Sequence, residues 1–379
     1  MVRTCCAWLL GLWACGVLAQ PAGDDAALES VVMVPKKGAI FTIDLETTVY
    51  RPPGPGPFPL AVLNHGKEAG DTRFQARWRP AQAARYFLQR GYAVIVPMRQ
   101  GFSKSGGSYI GGGCNVESNG RVQAEDVRAV LDWAGTQPWA DKDRIVVLGQ
   151  SHGGWTTLAF GMENYPGVRG LVNFAGGLRQ EFCVGWKVAL AGGAGSYAKT
   201  TKVPSLWFYG ENDSFFDPDT VKPMLEQYAT AGGNARMIAF GKFGSDAHGM
   251  FGSRAGNAIW QPEVTRFLAA IGMPSEVLAQ HAALMGTMAA PPRTEFAELS
   301  DESRVPHVRD TGRAGYRTYL TKAHPRAFAV APNGAWGWAD GGDDPLRRAL
   351  DNCNRSGQGG CRLYSVDDGV VWAPGDQRP

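Results

Sequence analysis

The sequence predicts a mostly parallel, doubly wound α/β sheet followed by a small α+β unit stapled by a disulfide. Three observations predict it. Short apolar runs alternate with helix-length amphipathic stretches over roughly the first 270 residues, the pattern of strands covered on both faces by helices. One run, Arg144-Ile-Val-Val-Leu-Gly-Gln-Ser151-His-Gly-Gly154, passes from an apolar strand through a Gly-x-Ser-x-Gly turn into a helix-like stretch. The alternation stops after Met273, and two hairpin-like pairs of runs appear near the C-terminus.

The chain has 379 residues, long for one domain, with 44% apolar and 19% charged residues and a formal net charge of +3. This composition fits a globular protein with a sizeable core. The charge is too small to argue for nucleic acid or an anionic membrane. The six histidines are scattered, with no C-x-x-C or H-E-x-x-H pattern, so neither a metal site nor another cofactor is expected.

Residues 1–19 read as a secretory signal. Arg3 supplies the charge, residues 7–18 a short apolar core, and Val17-Leu18-Ala19 a small-residue cleavage site. The alternative is a lipoprotein processed at Cys15, with Trp13 bulky for that motif. The stretch is short for a membrane span, and no second span follows, so an exported chain without stable membrane insertion is expected, periplasmic or secreted.

In chain order, residues 20–30 are small and polar, a leader. Residues 31–34 and 39–50 are β-rich and read as an edge strand or hairpin. After a Pro/Gly turn, residues 60–63 form a short buried strand ending in Asn64-His65-Gly66. Residues 80–90 turn helical between Pro80 and Gly91, residues that suit a first turn and a C-terminal cap. A strand over 92–96 and a Gly-rich loop over 101–120 follow. Residues 122–133 are helical, with Val122, Val127, Val130 and Leu131 on one face. Beyond the Ser151 turn, strands are expected at 170–174, 203–209 and 235–240, and helices at 216–229 and 262–271. The segment between 174 and 203 is too short and too rich in Gly and Ala for a large lid.

A serine is a poor nucleophile unless a base takes its proton and a third group orients that base. In a strand-turn-helix setting the partners follow in the order Ser, acid, His. Asp213, in Gly210-Glu-Asn-Asp213 after an apolar strand, fits the acid, with Asp217 and Asp246 as rivals. His248, in a glycine-flanked loop after 235–240, fits the base. The two N–H donors for a developing oxyanion are assigned to His152, the residue after the nucleophile, and Lys67, with Gly66 as rival. Trp155, Trp186, Phe215 and Phe216 are candidates to line an acyl or alcohol pocket.

On His65-Gly66, Arg99-Gln-Gly101-Phe-Ser-Lys-Ser-Gly106, Gly149 to Gly153, Gly210 to Asp213 and His248, residues 31–273 resemble the α/β-hydrolase superfamily, closest to dienelactone hydrolase-like and prolyl-oligopeptidase-like esterases. The resemblance implies the α/β-hydrolase fold and hydrolysis of a small-molecule carboxylic ester through a Ser151 acyl-enzyme. Dienelactone hydrolases proper carry cysteine as nucleophile, so Ser151 points to general esters rather than lactones. Oligopeptidases carry a long β-propeller that this chain lacks, which sets a peptidase second. A non-enzymatic exported binding protein is the remaining class, and the oligomeric state is left open.

Residues 274–325 read as a linker and the opening of a C-terminal unit, and 326–379 as a small domain. It looks like a Cys-containing domain met in exported bacterial proteins. Pro332-Asn333-Gly334 and Asp367-Asp-Gly369 are hairpin turns, with a helix between them. Removing the signal leaves Cys114, Cys183, Cys353 and Cys361. An even number in an oxidising compartment suggests two disulfides. Cys353 with Cys361 is the local choice, leaving Cys114 with Cys183.

Overall fold

The structure, a computed structural model, describes residues 28–374 other than 39, 40, 287, 289, 323, 341–343 and 358. The expected signal and residues 20–27 of the leader lie outside the described residues. Eight strands make the main sheet: β1 (Glu29–Lys37), β2 (Thr42–Tyr50), β3 (Phe58–Asn64), β4 (Ala93–Pro97), β5 (Ala140–Gln150), β6 (Val168–Phe174), β7 (Ser205–Tyr209) and β8 (Ala235–Ala239). Their spatial order is β1-β2-β4-β3-β5-β6-β7-β8. The β1–β2 and β2–β4 pairs are antiparallel and the rest parallel. The first strand opens at Glu29, whose carboxylate pairs with Arg77 at 2.8 Å. The leader expected over 20–30 therefore gives way to strand before residue 31.

Helices cover both faces. On one lie α2 (Val116–Ala134), α3 (His152–Gly161), α4 (Trp186–Ala198) and α5 (Pro218–Thr230), around Trp155, Trp207 and Tyr228. On the other lie α1 (Ala81–Leu88) and α6 (Asn257–Ala270), around Phe174, Phe251 and Trp260. The central parallel strands β3, β4, β6 and β7 and the second half of β5 are buried on both faces, which explains their apolar runs, whereas β8 at the edge is half-exposed.

Three helices depart from the sequence pattern: α6, expected from Pro262, already starts at Asn257 and carries Pro262 in its second turn, and α2 and α4 differ more. The helix expected from residue 122 starts at Val116, because the Asn115 side chain caps it by accepting the Ser118 amide at 2.9 Å. Its first two turns turn Asn119 and Gln123 inward, so apolar periodicity does not reveal them. The α4 helix was not expected at all. Its sequence carries three glycines, poor helix formers. They let it pack closely: a Cβ at Gly193 would lie 3.0 Å from the Trp155 ring, and one at Gly195 3.2 Å from the Gln227 carbonyl.

A second sheet, all antiparallel, holds β9 (Arg326–Val330), β10 (Trp336–Asp340), β11 (Arg362–Val366) and β12 (Gly369–Val370) in the order β10-β9-β11-β12. The α8 helix (Pro345–Gly357) covers one face through Ala349 and Cys353. The α7 helix (Asp310–Leu320) covers the other through Tyr316 and Tyr319, against Phe328, Tyr364 and Trp372. This aromatic core also takes in Val305 and Val308. Thr294 is tied to the far end of the unit: its amide donates to the Val370 carbonyl at 2.8 Å and its hydroxyl to the Trp372 carbonyl at 2.8 Å. Cys114 is bonded to Cys183 and Cys353 to Cys361, with Cα separations of 5.6 and 6.1 Å, inside the usual disulfide range.

Candidate active site

The parallel strands deliver their loops to one edge of the sheet, where such sheets place their reactive groups. Ser151 follows β5 at φ 57° and ψ −125°, a conformation strained for any residue with a Cβ. Its amide donates to the Phe174 carbonyl at 2.9 Å, which pins the turn to β6. The flanking glycines are needed for close approach. A Cβ at Gly149 would collide with the Gly153 carbonyl, and one at Gly153 with the Asn64 carbonyl.

Asp213 and His248 are brought to Ser151 from the ends of β7 and β8. His248 Nε2 lies 3.0 Å from Ser151 Oγ, and its Nδ1 lies 3.1 Å from both Asp213 oxygens. A carboxylate only accepts, so Nδ1 carries the hydrogen and Nε2 is free to accept the serine proton. Asp213 Oδ1 also accepts the amides of Phe215 and Phe216 at 2.8 and 2.9 Å, and its side chain is fully buried.

The two rival aspartates do other work. Asp246 accepts the backbone amide of His248 at 2.9 Å and the hydroxyl of Ser214 at 2.6 Å. Burial pushes its carboxyl up, but the hydrogen bonds from Ser214 and the His248 amide outweigh this and hold it below the usual range. Asp217 caps α5 through the Thr220 amide at 2.8 Å and pairs with Lys187.

The turn after β3 lies against the Ser151 turn: a Cβ at Gly66 would sit 3.3 Å from Ser151 Cβ. This brings the two candidate oxyanion segments, His65-Gly66-Lys67 and Ser151-His152, side by side. Lys67 itself is half-buried, with Nζ 3.1 Å from the Glu68 carbonyl, beside a cleft of about 590 Å³ lined also by Thr72, Arg73 and Tyr109.

His65 and His152 are both buried. Burial first, and then the charge of Arg99, hold both imidazoles well below the usual histidine range. Burial likewise pulls the Arg99 guanidinium down to about 10, against the opposing pull of Asp126. Sequence reasoning gave Arg99, Asn119 and Gln150 no place at the site. Gln150 donates its side-chain amide to the His248 carbonyl at 3.2 Å. The one available signal was the Arg99-Gln-Gly101 stretch, which marked a motif without a task.

The rim is built from the segment ahead of α4. Cys183 ties it to the loop bearing Cys114, and Gln180 Nε2 donates to the Gly113 carbonyl at 3.1 Å. Of the four pocket candidates, Phe215 is 44% exposed with its ring 4.4 Å from the His248 ring. Phe216 lies buried behind it, ring centroid 5.7 Å from that of His248. Trp186 is half-buried at the start of α4. Trp155 is no pocket residue: it is fully buried in the core, its Nε1 donating to the Val116 carbonyl at 2.8 Å. Among the described residues there is no cluster of three His, Cys, Asp or Glu able to hold a metal, and no helix long and apolar enough to cross a membrane.

Residues 42–180 match the model of the X-Pro dipeptidyl-peptidase (S15) family, a span below half the chain. Among solved structures, the chain is similar to a protein described as a dienelactone hydrolase from Klebsiella pneumoniae, at 20% identity, covering 64% of this chain and 98% of that one, TM-score 0.47. It is similar to an esterase from Pyrococcus furiosus at 15% identity, covering 69% and 95%, TM-score 0.47. A dipeptidyl peptidase from Porphyromonas gingivalis matches at 17% identity, covering 64% of this chain and 35% of that one, TM-score 0.49. The sheet order and the strand-turn-helix geometry at Ser151 are those of the α/β-hydrolase fold, and with the family match over residues 42–180 they support a serine hydrolase of that superfamily.

Proposed function

We propose that the protein is an exported esterase that cleaves small carboxylic esters through an acyl-enzyme on Ser151. The carrying observation is the unbroken line from Ser151 Oγ through His248 to Asp213, at 3.0 and 3.1 Å. In this reading Oγ attacks the acyl carbon while His248 Nε2 takes its proton. The carbonyl π electrons move to oxygen, where the amides of His152 and Lys67 receive the charge. Collapse breaks the bond to the alkoxy oxygen, which takes the proton from Nε2 and departs as the alcohol. Water then repeats the sequence, and Ser151 leaves with its proton restored. Asp213 holds the Nδ1 tautomer and stabilises the imidazolium.

Ester preference is supported by the surroundings. Phe215 offers an apolar face beside His248. Asp246, the carboxylate beside the His248 backbone, is already engaged by the Ser214 hydroxyl and the His248 amide, so it does not stand ready for a peptide amine. Export is supported by the two closed disulfides. The second reading is a peptidase, favoured by the match to the X-Pro dipeptidyl-peptidase family.

The test has two parts. A fluorophosphonate should label the protein on Ser151 and leave Ser151→Ala untouched. The parent should turn over p-nitrophenyl acetate and hardly touch Ala-Pro-p-nitroanilide. Efficient release of the anilide moves the assignment to the peptidase, and near-parent ester turnover by Ser151→Ala removes Ser151 as nucleophile.

A further inference from the structure

Arg99 stands just past the end of β4, fully buried, and its two ends reach two different histidines. Its backbone amide donates to His65 Nε2 at 3.1 Å. With Nε2 accepting, the His65 hydrogen is on Nδ1, which donates to the Gly66 carbonyl at 2.6 Å. That carbonyl shares a peptide plane with the Lys67 N–H, and in a trans peptide the two point in opposite directions. Holding the Gly66 oxygen therefore aims the Lys67 amide.

The guanidinium makes the second reach. Arg99 Nη2 lies 3.1 Å from His152 Nδ1. A guanidinium only donates, so Nδ1 accepts and the His152 hydrogen is on Nε2. That nitrogen donates to Asn119 Oδ1 at 2.7 Å. Asn119 in turn donates to the carbonyls of Ile110 and Gly111 at 2.9 and 3.0 Å. The residue whose amide follows the nucleophile is thus gripped on both ring nitrogens.

Arg99 is itself held. Nε donates to Gln123 Oε1 at 3.1 Å, and the next amide, of Gln100, donates to Asp126 Oδ2 at 2.7 Å. Asp126 is ion-paired with Lys36 at 2.6 Å. Nη1 finds no hydrogen-bond partner among the described residues, while the guanidinium carbon lies 5.4 Å from the centre of the Phe102 ring. A buried, incompletely paired cation is costly for stability alone. Its position, one hydrogen bond behind one candidate donor, suits stabilising charge that develops in a transition state.

We propose that Arg99 is the positioning residue of the oxyanion hole, its backbone amide holding His65 behind the Lys67 amide and its guanidinium holding the His152 ring behind the His152 amide. This rests on the acyl-enzyme reading above. It makes the two donors one preorganised unit rather than two independent turns.

The test is steady-state kinetics on p-nitrophenyl acetate with each preparation titrated by fluorophosphonate, so that kcat is counted per reactive serine. Arg99→Met should lower kcat per titrated site on the order of 10²-fold with KM within about threefold, and weaken a boronic acid inhibitor, whose serine adduct is a tetrahedral anion, in parallel. Arg99→Lys, which keeps charge but not the fork, should fall between. A purely structural role would lower the titratable fraction and leave kcat per site unchanged, and that result overturns the proposal. The Arg99 side-chain variants test the His152 arm; the His65 arm, held by the backbone amide of residue 99, is tested by His65→Asn and His65→Leu, which also decide should both Arg99 variants fail to fold: asparagine keeps a donor near the Nδ1 position and should retain far more kcat per site, and equal losses overturn the relay. A parent protein that no fluorophosphonate labels overturns the acyl-enzyme reading and this proposal together, whereas a labelled parent with an unaffected Arg99→Met overturns this proposal alone.

Discussion

Gln150 donates its side-chain amide to the backbone carbonyl of His248, 3.2 Å away. The residue before the candidate nucleophile is thus bonded to the loop of the candidate base. Gln150→Ala removes one neutral hydrogen bond, worth about 1 kcal/mol. We expect kcat for a small ester to fall about fivefold to tenfold, with little change in thermal midpoint. An unchanged kcat would show that the loop is held without it.

Asp213 and Asp246 both touch His248, one at the ring and one at the backbone. Asp213→Asn should therefore cost on the order of 10⁴ in kcat, because the imidazole loses the acceptor that sets its tautomer. Asp246→Asn should cost about tenfold and lower stability, because it loosens the Ser214 and His248 backbone contacts. The reverse order of severity in steady-state kinetics would exchange their roles.

His65 and His152 stay neutral in the folded protein because burial, and then Arg99, depress their proton affinity. The unfolded chain takes up protons at both as pH falls through about 6.5. Below that pH the unfolded state binds more protons than the native state, so stability falls with falling pH. The slope reaches up to about 1.4 kcal/mol per pH unit for each histidine. Urea midpoints should decline from pH 7 to pH 5, and His65→Asn should flatten the decline by roughly half of this histidine contribution. Equal midpoints at the two pH values would contradict the buried neutral state.

The two disulfides close loops of unequal length, with separations of 69 and 8 residues. By chain entropy they stabilise by about 4 and about 2.5 kcal/mol. Replacing Cys114 and Cys183 together by serine should give the larger fall in denaturation midpoint. It should also lower kcat, because the loop carrying Cys114 leads into Asn119, which grips His152. Replacing Cys353 and Cys361 should loosen the C-terminal sheet and leave ester turnover nearly unchanged. Loss of turnover on that second change would tie the C-terminal unit to the site.

What the sequence could show, it showed through chain order. Ser151, Asp213 and His248 each follow an apolar strand, and parallel strands send such loops to one edge. The C-terminal hairpins were legible from Asn333-Gly334 and Asp368-Gly369. The relay through Arg99 was not, because its contacts join the end of β4 to Asn119 and Gln123 on α2, polar residues facing inward where periodicity seeks apolar ones. The α4 helix was hidden for a related reason: its glycines weaken local propensity, and only the closeness of its neighbours justifies them.

Thr294 bridges to Val370 and Trp372, so the C-terminal unit begins and finishes at nearly the same point in space. A segment whose two ends adjoin is portable. A graft of the C-terminal unit would therefore be cut at 294 and 372, where a host backbone would have only a short gap to supply, and circular dichroism of that graft would show whether the unit folds away from the main sheet. A cut at 326 instead would strand Val305, Val308, Tyr316 and Tyr319 outside the graft and leave its aromatic core half empty.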